Sequence, residues 1–283
     1  MNAMNQRLAL PLAALFVAFF IAPLLVLLAL SLHDDAAMQH WTLGNYVKFF
    51  TDPFNYSILI DTLLLGVKAT VVCLLFGYPI AWFAARASAR WQSVLLFLVI
   101  LPILTSVVVR TFAWIVILGR QGVLNKIVLG LGLSSEPLRL LYTETGVVMV
   151  LAQVQMPLMV LPILTVLSKL DPNLLDASRV LGAGEWRTLW KVTLPLSVPG
   201  IVAGCILTYA ASITAFVTQS LIGGARLIYM PLNIYQQAIG ANNWPLAAAI
   251  SIIFMVAVIV VVTLLTIIGR VSEGQGRAGH GRA

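Results

Sequence analysis

Hydrophobic residues in this chain are gathered into long runs, and most polar residues lie in the short segments between them. Six runs are about 20 residues or longer, which is the length that an α-helix needs to cross a bilayer. The runs extend over residues 8–30, 58–85, 91–118, 145–168, 200–223 and 244–268. The pattern therefore predicts an all-α membrane protein with six transmembrane helices.

One polar segment, residues 169–195, separates the fourth run from the fifth. Its sequence is KLDPNLLDASRVLGAGEWRTLWKVTLP, and it holds seven of the 27 charged residues, 17 basic and 10 acidic, in the chain. Asp171 is a good helix N-cap, Pro172 suits the first helical position, and Gly182 can supply a left-handed stop. The segment predicts a short helix of about three turns outside the membrane.

One broad face of this short helix carries small and apolar side chains, while Asp176, Arg179 and Glu185 keep the segment soluble. The face consists of Leu174, Leu175, Ala177, Ser178 and Leu181. Residue types alone leave open whether the helix is structurally neutral or docks against a partner. After Gly182, Trp and basic residues predict a turn or two at the lipid headgroup level, ended by Pro195 and Pro199.

Spacing within this segment resembles the EAA loop of the membrane subunits of ABC importers. Asp176-Ala177-Ser178 is followed by Gly182 six positions after Asp176 and by Leu194-Pro195 twelve positions later, with Asp in place of Glu and Ser in place of the second Ala. The resemblance implies a coupling helix that docks on a cytoplasmic ATPase. The coupling residues it implies are Leu175, Asp176, Ala177, Ser178, Leu181, Gly182 and Ala183.

A wider resemblance covers residues 58–268. Gly77-Tyr78-Pro79, the run from Arg110 to Trp114 and the segment Asn242 to Pro245 are similar to the spermidine and putrescine type of permease. This resemblance implies the MetI-like fold of type I ABC importers and half of a pathway for a small polar solute, a polyamine or a similar compound. The implied partners are a second homologous permease, two ATPase subunits that hold ATP and Mg, and a periplasmic binding protein.

Composition supports a membrane protein, because 60% of the residues are hydrophobic and only 10% are charged, where a soluble domain has about a quarter charged. With the amino terminus inside, ten Lys and Arg residues fall on the cytoplasmic side and five outside. This bias predicts that both termini are cytoplasmic, and the resemblance implies a bacterial inner membrane protein. The net charge of +7 is explained by the excess of Lys and Arg on the cytoplasmic side. It therefore gives no reason to expect a nucleic-acid partner.

Three domain-level segments follow from the runs. Residues 1–57 hold a retained first helix and an outer segment, in which Tyr46, Phe49 and Phe50 predict an interfacial helix. Residues 58–269 form the transporter core, and residues 270–283 form a flexible cytoplasmic tail. The Gly, Arg and Gln residues of this tail have no apolar side chains to bury, so we expect it to be disordered.

Several kinds of chemistry are not expected in this chain. It lacks a phosphate-binding Gly-x-x-x-x-Gly-Lys run, so it is not an enzyme that hydrolyses ATP, and it carries no cofactor of its own. Cys73 and Cys205 lie inside membrane runs and predict no disulfide. His33, His40 and His280 show no ligand spacing, so no metal site is expected.

Polar residues inside the runs are candidates for the transport pathway, because charges at membrane depth face protein or water. Lys68 fits either a structural partner or a substrate role, and Arg110 fits either snorkelling or the pathway. Gln155 and Ser212 are interpreted as contacts between helices. The pathway candidates are Asp61, Lys68, Arg110, Gln153, Tyr209, Thr214 and Gln219, and their formal charges sum to +1.

The polar loop also bears on two other classes of transporter, secondary transporters and passive channels. A secondary transporter driven by an ion gradient would have no use for an EAA-like loop and would be expected to show internal repeats. A passive channel would not need the loop either. The loop at 169–195 therefore favours an ATP-driven importer.

Overall fold

The computed structural model describes residues 3–278 as helices joined by short loops, with no β-sheet in that range. The helices in chain order are α1 (Ala3–Ser31), α2 (Gly44–Thr51), α3 (Pro53–Arg86), α4 (Ala89–Ile100), α5 (Val107–Leu118), α6 (Val123–Gly130), α7 (Glu144–Leu167), α8 (Pro172–Val180), α9 (Glu185–Thr188), α10 (Leu194–Ile213), α11 (Phe216–Gly223), α12 (Met230–Tyr235) and α13 (Trp244–Ala278).

Six helical stretches within residues 3–278 are long and apolar enough to span a bilayer, which confirms the predicted number. They are Ala14–Ser31, Pro53–Arg86, Val107–Gly130, Glu144–Leu167, Glu185–Ile213 and Trp244–Gly269. Ala89–Ile100 is a further apolar helix of 12 residues and is too short to count among them. The bounds of two spans differ from the prediction for separate reasons.

The predicted single helix over residues 91–118 is wrong, because the backbone leaves the helix between α4 and α5. Pro102 has no N–H to donate, and the next residues form single turns in which Ile103 N–H bonds Ile100 O at 2.8 Å. The Arg110 guanidinium donates to the Pro102 carbonyl that the break exposes.

The fifth span begins earlier than predicted and contains a π-helical turn. Helical structure starts at Glu185 and continues through a π-helical turn, Leu189–Thr193, directly into α10. Leu194 N–H bonds Leu189 O, five residues earlier, across that turn. The missing N–H of Pro195 therefore falls where the regular α-helical bonding is already interrupted. The prediction that Pro195 and Pro199 end the preceding helix is therefore wrong.

The chain divides into two compact units. One consists of the segments up to Leu59 and from Met230 to Ala257, and the other of Ile60 to Tyr229 and the segment from Val258 onward. In the first unit, the amphipathic helix predicted around Tyr46 is present as α2. Phe49 is buried there, and the Tyr46 hydroxyl lies 2.7 Å from that of Ser31.

The core of the second unit forms around α7, which packs closely against α10. Gly204 makes this approach possible, since a Cβ at that position would lie 2.8 Å from the Met159 sulfur and 3.0 Å from the Met159 carbonyl oxygen. Small residues at helix crossings let backbones approach in this way within membranes. The position of α10 is thus fixed by α7.

The carboxyl-terminal tail differs from the expectation where the structure describes it. Residues 270–278, predicted to be irregular, continue α13. Extending an existing helix avoids the cost of nucleation, and Arg and Gln are good helix formers. The last part of the predicted tail, residues 279–283, lies outside the described residues.

Candidate coupling loop and polar groups at membrane depth

Both ends of α8 are fixed by local hydrogen bonds, as the sequence predicts. The Asp171 carboxylate accepts the Asn173 N–H at 2.9 Å, and Pro172 takes the first helical position. At the other end Gly182 has a φ of +78°, a left-handed conformation that favours glycine. Gly182 N–H bonds Arg179 O, and Ala183 N–H bonds Ser178 O, at 2.9 and 3.0 Å. This pair of bonds is a Schellman motif.

The outer surface of α8 presents a group of apolar side chains that cover nothing within the described chain. Val180 is 87% exposed and Leu181 is 85% exposed. Ala177 and Leu174 are also exposed, one and two turns before them, whereas Leu175 is half-buried. We call Leu174, Ala177, Val180 and Leu181 the coupling face. Val180 was missed in the sequence, although it lies three positions after Ala177.

Ser178 does not belong to the coupling face, contrary to the prediction. Its side chain is buried, and its hydroxyl lies 2.9 Å from the Thr188 hydroxyl in α9 and donates to Leu175 O at 2.8 Å. Ser178 follows Ala177 by one residue, which is about 100° around the helix, so its side chain lies at the flank of the coupling face and is turned toward Thr188. The residue therefore fastens α8 to the start of the next membrane span.

The charged residues of the loop interact with one another. Arg179 lies 3.3 Å from Asp176 and 3.8 Å from Glu185, and all three side chains are more than half exposed. Exposed pairs of this kind contribute about 1 kcal/mol or less to stability. They border the coupling face with paired charge.

Lys68 has a partner acid in the structure, as one of the two open interpretations required. Its Nζ lies 2.5 Å from Glu144 Oε1, across from α3 to α7. Glu144 was not among the predicted site residues, because it lies at the edge of an apolar run. Including it changes the formal charge of the polar residues at membrane depth from +1 to zero, with Lys68 and Arg110 opposed by Asp61 and Glu144.

A cavity of about 420 Å³ lies between the breaks that follow α4 and α10. Arg110, Gln155 and Thr214 contribute to its lining. The Thr214 hydroxyl donates to Ala210 O at 2.8 Å, and Gln155 Nε2 donates to Ala211 O at 3.2 Å. The bond of Gln155 links α7 to α10, which is the contact between helices that the sequence predicts.

Two of the predicted pathway residues are buried in the helix packing. Gln219 is buried, and its Nε2 donates to Ser212 O at 2.8 Å and to Ile213 O at 3.1 Å, the last carbonyls of α10. Tyr209 is also buried, and its ring fits against Gly66, where a Cβ would lie 2.7 Å from the ring. The expectation that both side chains line an open route is therefore not met.

Gln153 lies beside a second cavity, of about 410 Å³, together with Met149 and Met156. Its side-chain oxygen accepts the indole N–H of Trp114 at 3.1 Å. Asp61 is exposed on α3, two turns from Lys68. Of the seven predicted pathway candidates, five therefore lie at a cavity or an exposed position, and the structure does not gather them into one site.

A family of membrane transport subunits matches the part of the chain that contains this loop. The model for the inner membrane component of binding-protein-dependent transport systems matches residues 77–272. The chain belongs to this family. The match covers 196 of 283 residues, more than half of the chain.

Individual members of the family agree over most of the chain. The spermidine/putrescine transport system permease protein PotB of Escherichia coli (strain K12) is 35% identical over 240 residues, 83% of this chain and 87% of PotB. The inner membrane ABC transporter permease protein YdcU of the same organism is 32% identical over 78% of this chain and 74% of YdcU.

A solved structure shows the same fold. It is the bacterial alginate ABC transporter in complex with an alginate pentasaccharide-bound periplasmic protein, with a TM-score of 0.75, 18% identity and 95% of each chain covered. The permease is thus a multi-pass inner membrane subunit of an ATP-driven ABC importer, as the sequence predicts, and ATP is hydrolysed by a separate subunit. The alternative of an ion-driven secondary transporter is set aside.

Proposed function

We propose that this permease forms half of the translocation pathway for a polyamine or a similar small amine, delivered by a periplasmic binding protein. A second homologous permease completes the pathway, and two ATPase subunits hold ATP and Mg. The observation that carries the proposal is the coupling face, because Val180 and Leu181 are almost fully exposed on a helix outside the apolar spans. An exposed apolar surface of this kind indicates a protein partner.

Movement of the ATPase reaches the membrane through a continuous path in this proposal. The Ser178–Thr188 contact joins α8 to α9, and α9 passes through the π-helical turn into α10 without a loop. The close packing of α10 on α7 then brings a second span into the movement. Rigid helices can carry a displacement at one end to a pathway at the other.

The coupling face is on the cytoplasmic side in this proposal, and so are both termini. The excess of ten basic residues over five in the sequence supports that orientation. The loops that contain Lys48 and Lys126 then face the periplasm, where the binding protein delivers its substrate.

The substrate class is supported by the similarity to PotB and by the charges at membrane depth. Lys68 is paired with Glu144, and Arg110 is bonded to the Pro102 carbonyl. The neutral Pro102 carbonyl leaves the charge of Arg110 in place, but the Asp61 and Glu144 carboxylates together balance Lys68 and Arg110 in formal charge. The positive sum that the sequence suggests is therefore no obstacle to a cationic substrate.

Co-purification and uptake test this proposal together. The tagged permease, expressed with its partners, should retain ATPase subunits after gentle solubilisation. Vesicles that contain the transporter and enclose ATP should accumulate labelled putrescine or spermidine when loaded binding protein is supplied outside. Leu181→Asp should release the ATPase, because it charges the coupling face, whereas Leu133→Asp, at an exposed loop position, should not. Retention of the ATPase by Leu181→Asp would contradict the docking surface, and absence of polyamine uptake would contradict the substrate.

A further inference from the structure

The ion pair between Lys68 and Glu144 is unusual in its exposure. The two side chains are 48% and 44% exposed, although Lys68 lies far inside the span Pro53–Arg86 and Glu144 begins the span Glu144–Leu167. Charged groups within the apolar part of a membrane are costly wherever they meet lipid. The surface that carries this pair therefore faces water or protein, and it is a candidate wall of the pathway.

A second carboxylate lies on the same stripe of α3. Asp61 precedes Lys68 by seven residues, which is two helical turns and about 10 Å, and its side chain is exposed. Burial raises the pKa of the Tyr229 hydroxyl, and the nearby Glu144 and Asp61 carboxylates raise it further, so the phenol stays protonated. Two acids and one lysine thus share one surface.

The chemistry of Lys68 resembles that of the proposed substrate. Its side chain ends in a primary alkylammonium group, which is also the terminal group of putrescine and spermidine. Glu144 therefore already binds, through a tethered lysine, the same functional group that a polyamine would bring. An arriving ammonium could take the place of Nζ without leaving the Glu144 carboxylate unpaired.

We propose that Lys68 is a tethered competitor that occupies Glu144 until a substrate ammonium replaces it. This inference rests on the proposed polyamine substrate and names the group that recognises it. Glu144 binds one ammonium of the substrate, and Asp61 is placed to meet another farther along α3. Lys68 lowers the affinity of Glu144 for a polycation, so the substrate can leave this wall during transport.

Two single variants distinguish exchange from a purely structural ion pair. Initial uptake of labelled putrescine is measured with the whole transporter in vesicles, at a limiting concentration of loaded binding protein. Lys68→Met removes the competitor and should raise the rate by up to about fivefold, the upper range for a partly exposed pair. Glu144→Gln removes the acceptor and should lower the rate by about tenfold or more. A structural pair would instead lose activity equally from either change.

Matched controls separate this result from general effects of charge. Arg90→Met removes a positive charge from an exposed position at the start of α4, outside the periplasmic loops, and should leave the rate near that of the wild type. Lys68→Arg keeps a cation on Glu144 and should not show the increase. Thermal unfolding midpoints and assembly with the ATPase should be similar for all variants.

The outcomes are separable. Opposite changes for Lys68→Met and Glu144→Gln support exchange, whereas equal losses, or uptake unaffected by Glu144→Gln, overturn it. Uptake of polyamine by the wild type is measured first. If the wild-type transporter hydrolyses ATP on addition of loaded binding protein but takes up no polyamine, the proposed substrate class fails, and this inference fails with it for that separate reason.

Discussion

The hydroxyl oxygens of Ser178 and Thr188 lie 2.9 Å apart, and both side chains are buried within the coupling loop. Within the described part of the chain, this contact is the only hydrogen bond between side chains of α8 and α9. The ion pair of Arg179 with Glu185 also joins the two helices, but at the longer distance of 3.8 Å. The inner side of α8 therefore holds the helix in place, and the outer side is left free for a partner.

Thr188→Val should weaken the coupling of ATP hydrolysis to uptake. Valine keeps the shape of threonine but removes the hydroxyl, and the loss of one hydrogen bond costs about 1 kcal/mol. We expect fewer molecules transported per ATP, with nearly normal expression. Thr165→Val is the control, because its exposed hydroxyl bonds Leu161 O within its own helix.

A double variant tests the contact itself. Ser178→Ala should reproduce the effect of Thr188→Val, and the combination should be little worse than either single change, since both remove the same bond. Fully additive losses in transported molecules per ATP would show that the two hydroxyls act independently.

Gly182→Val should uncouple transport with little loss of folded protein. The φ of +78° at Gly182 is strained for a β-branched residue, so the Schellman motif should open and the coupling face should change direction. Gly184→Val is a matched control, because a side chain at either glycine would meet no atom within 4 Å and Gly184 has a φ of −67°. ATPase activity stimulated by loaded binding protein is the measurement, and normal stimulation in Gly182→Val would refute the coupling role of this turn.

Cysteine labelling should show that the coupling loop is cytoplasmic. Lys48, Lys126 and Arg187 are all exposed in the structure, so a cysteine at each position can react if the reagent reaches its side of the membrane. In intact cells an impermeant thiol reagent should modify cysteines at positions 48 and 126 and spare position 187 until the membrane is opened. The opposite labelling pattern would show that the topology is the reverse of the one predicted.

Features that depend on neighbouring residues in the sequence were the ones that could be predicted. The two ends of α8 are set by Asp171, Pro172 and Gly182 within one or two turns. The pairing of Lys68 with Glu144 joins positions 76 residues apart, and no local pattern indicates it. The position of Ser178 on the inner side also depended on the path of α9, which bends back only after Gly182.

The helix breaks also could not be predicted from neighbouring residues in the sequence, but for a different reason. Pro23, Pro79 and Pro157 lie inside continuous helices, whereas the backbone turns away at Pro102. A proline in a membrane helix is tolerated when neighbours satisfy the groups it frees. At Pro102 the guanidinium of Arg110, eight residues away, binds the carbonyl of the interrupted helix. Proline alone therefore could not distinguish a break from a continuous span.

Gln219 provides the corresponding contact at the break after α10, and its removal should lower the stability of the permease. Its Nε2 donates to both Ser212 O and Ile213 O, and the side chain is buried, so Gln219→Leu would leave two helix-terminal carbonyls without these partners. An unsatisfied buried polar group costs about 1–3 kcal/mol. We expect a lower midpoint of thermal unfolding for the permease in nanodiscs. Thr214→Val at the same break should have a smaller effect, because the exposed Thr214 hydroxyl bonds only carbonyls of α10 itself. An unchanged midpoint in Gln219→Leu, or a larger loss in Thr214→Val, would show that Gln219 does not hold this break together.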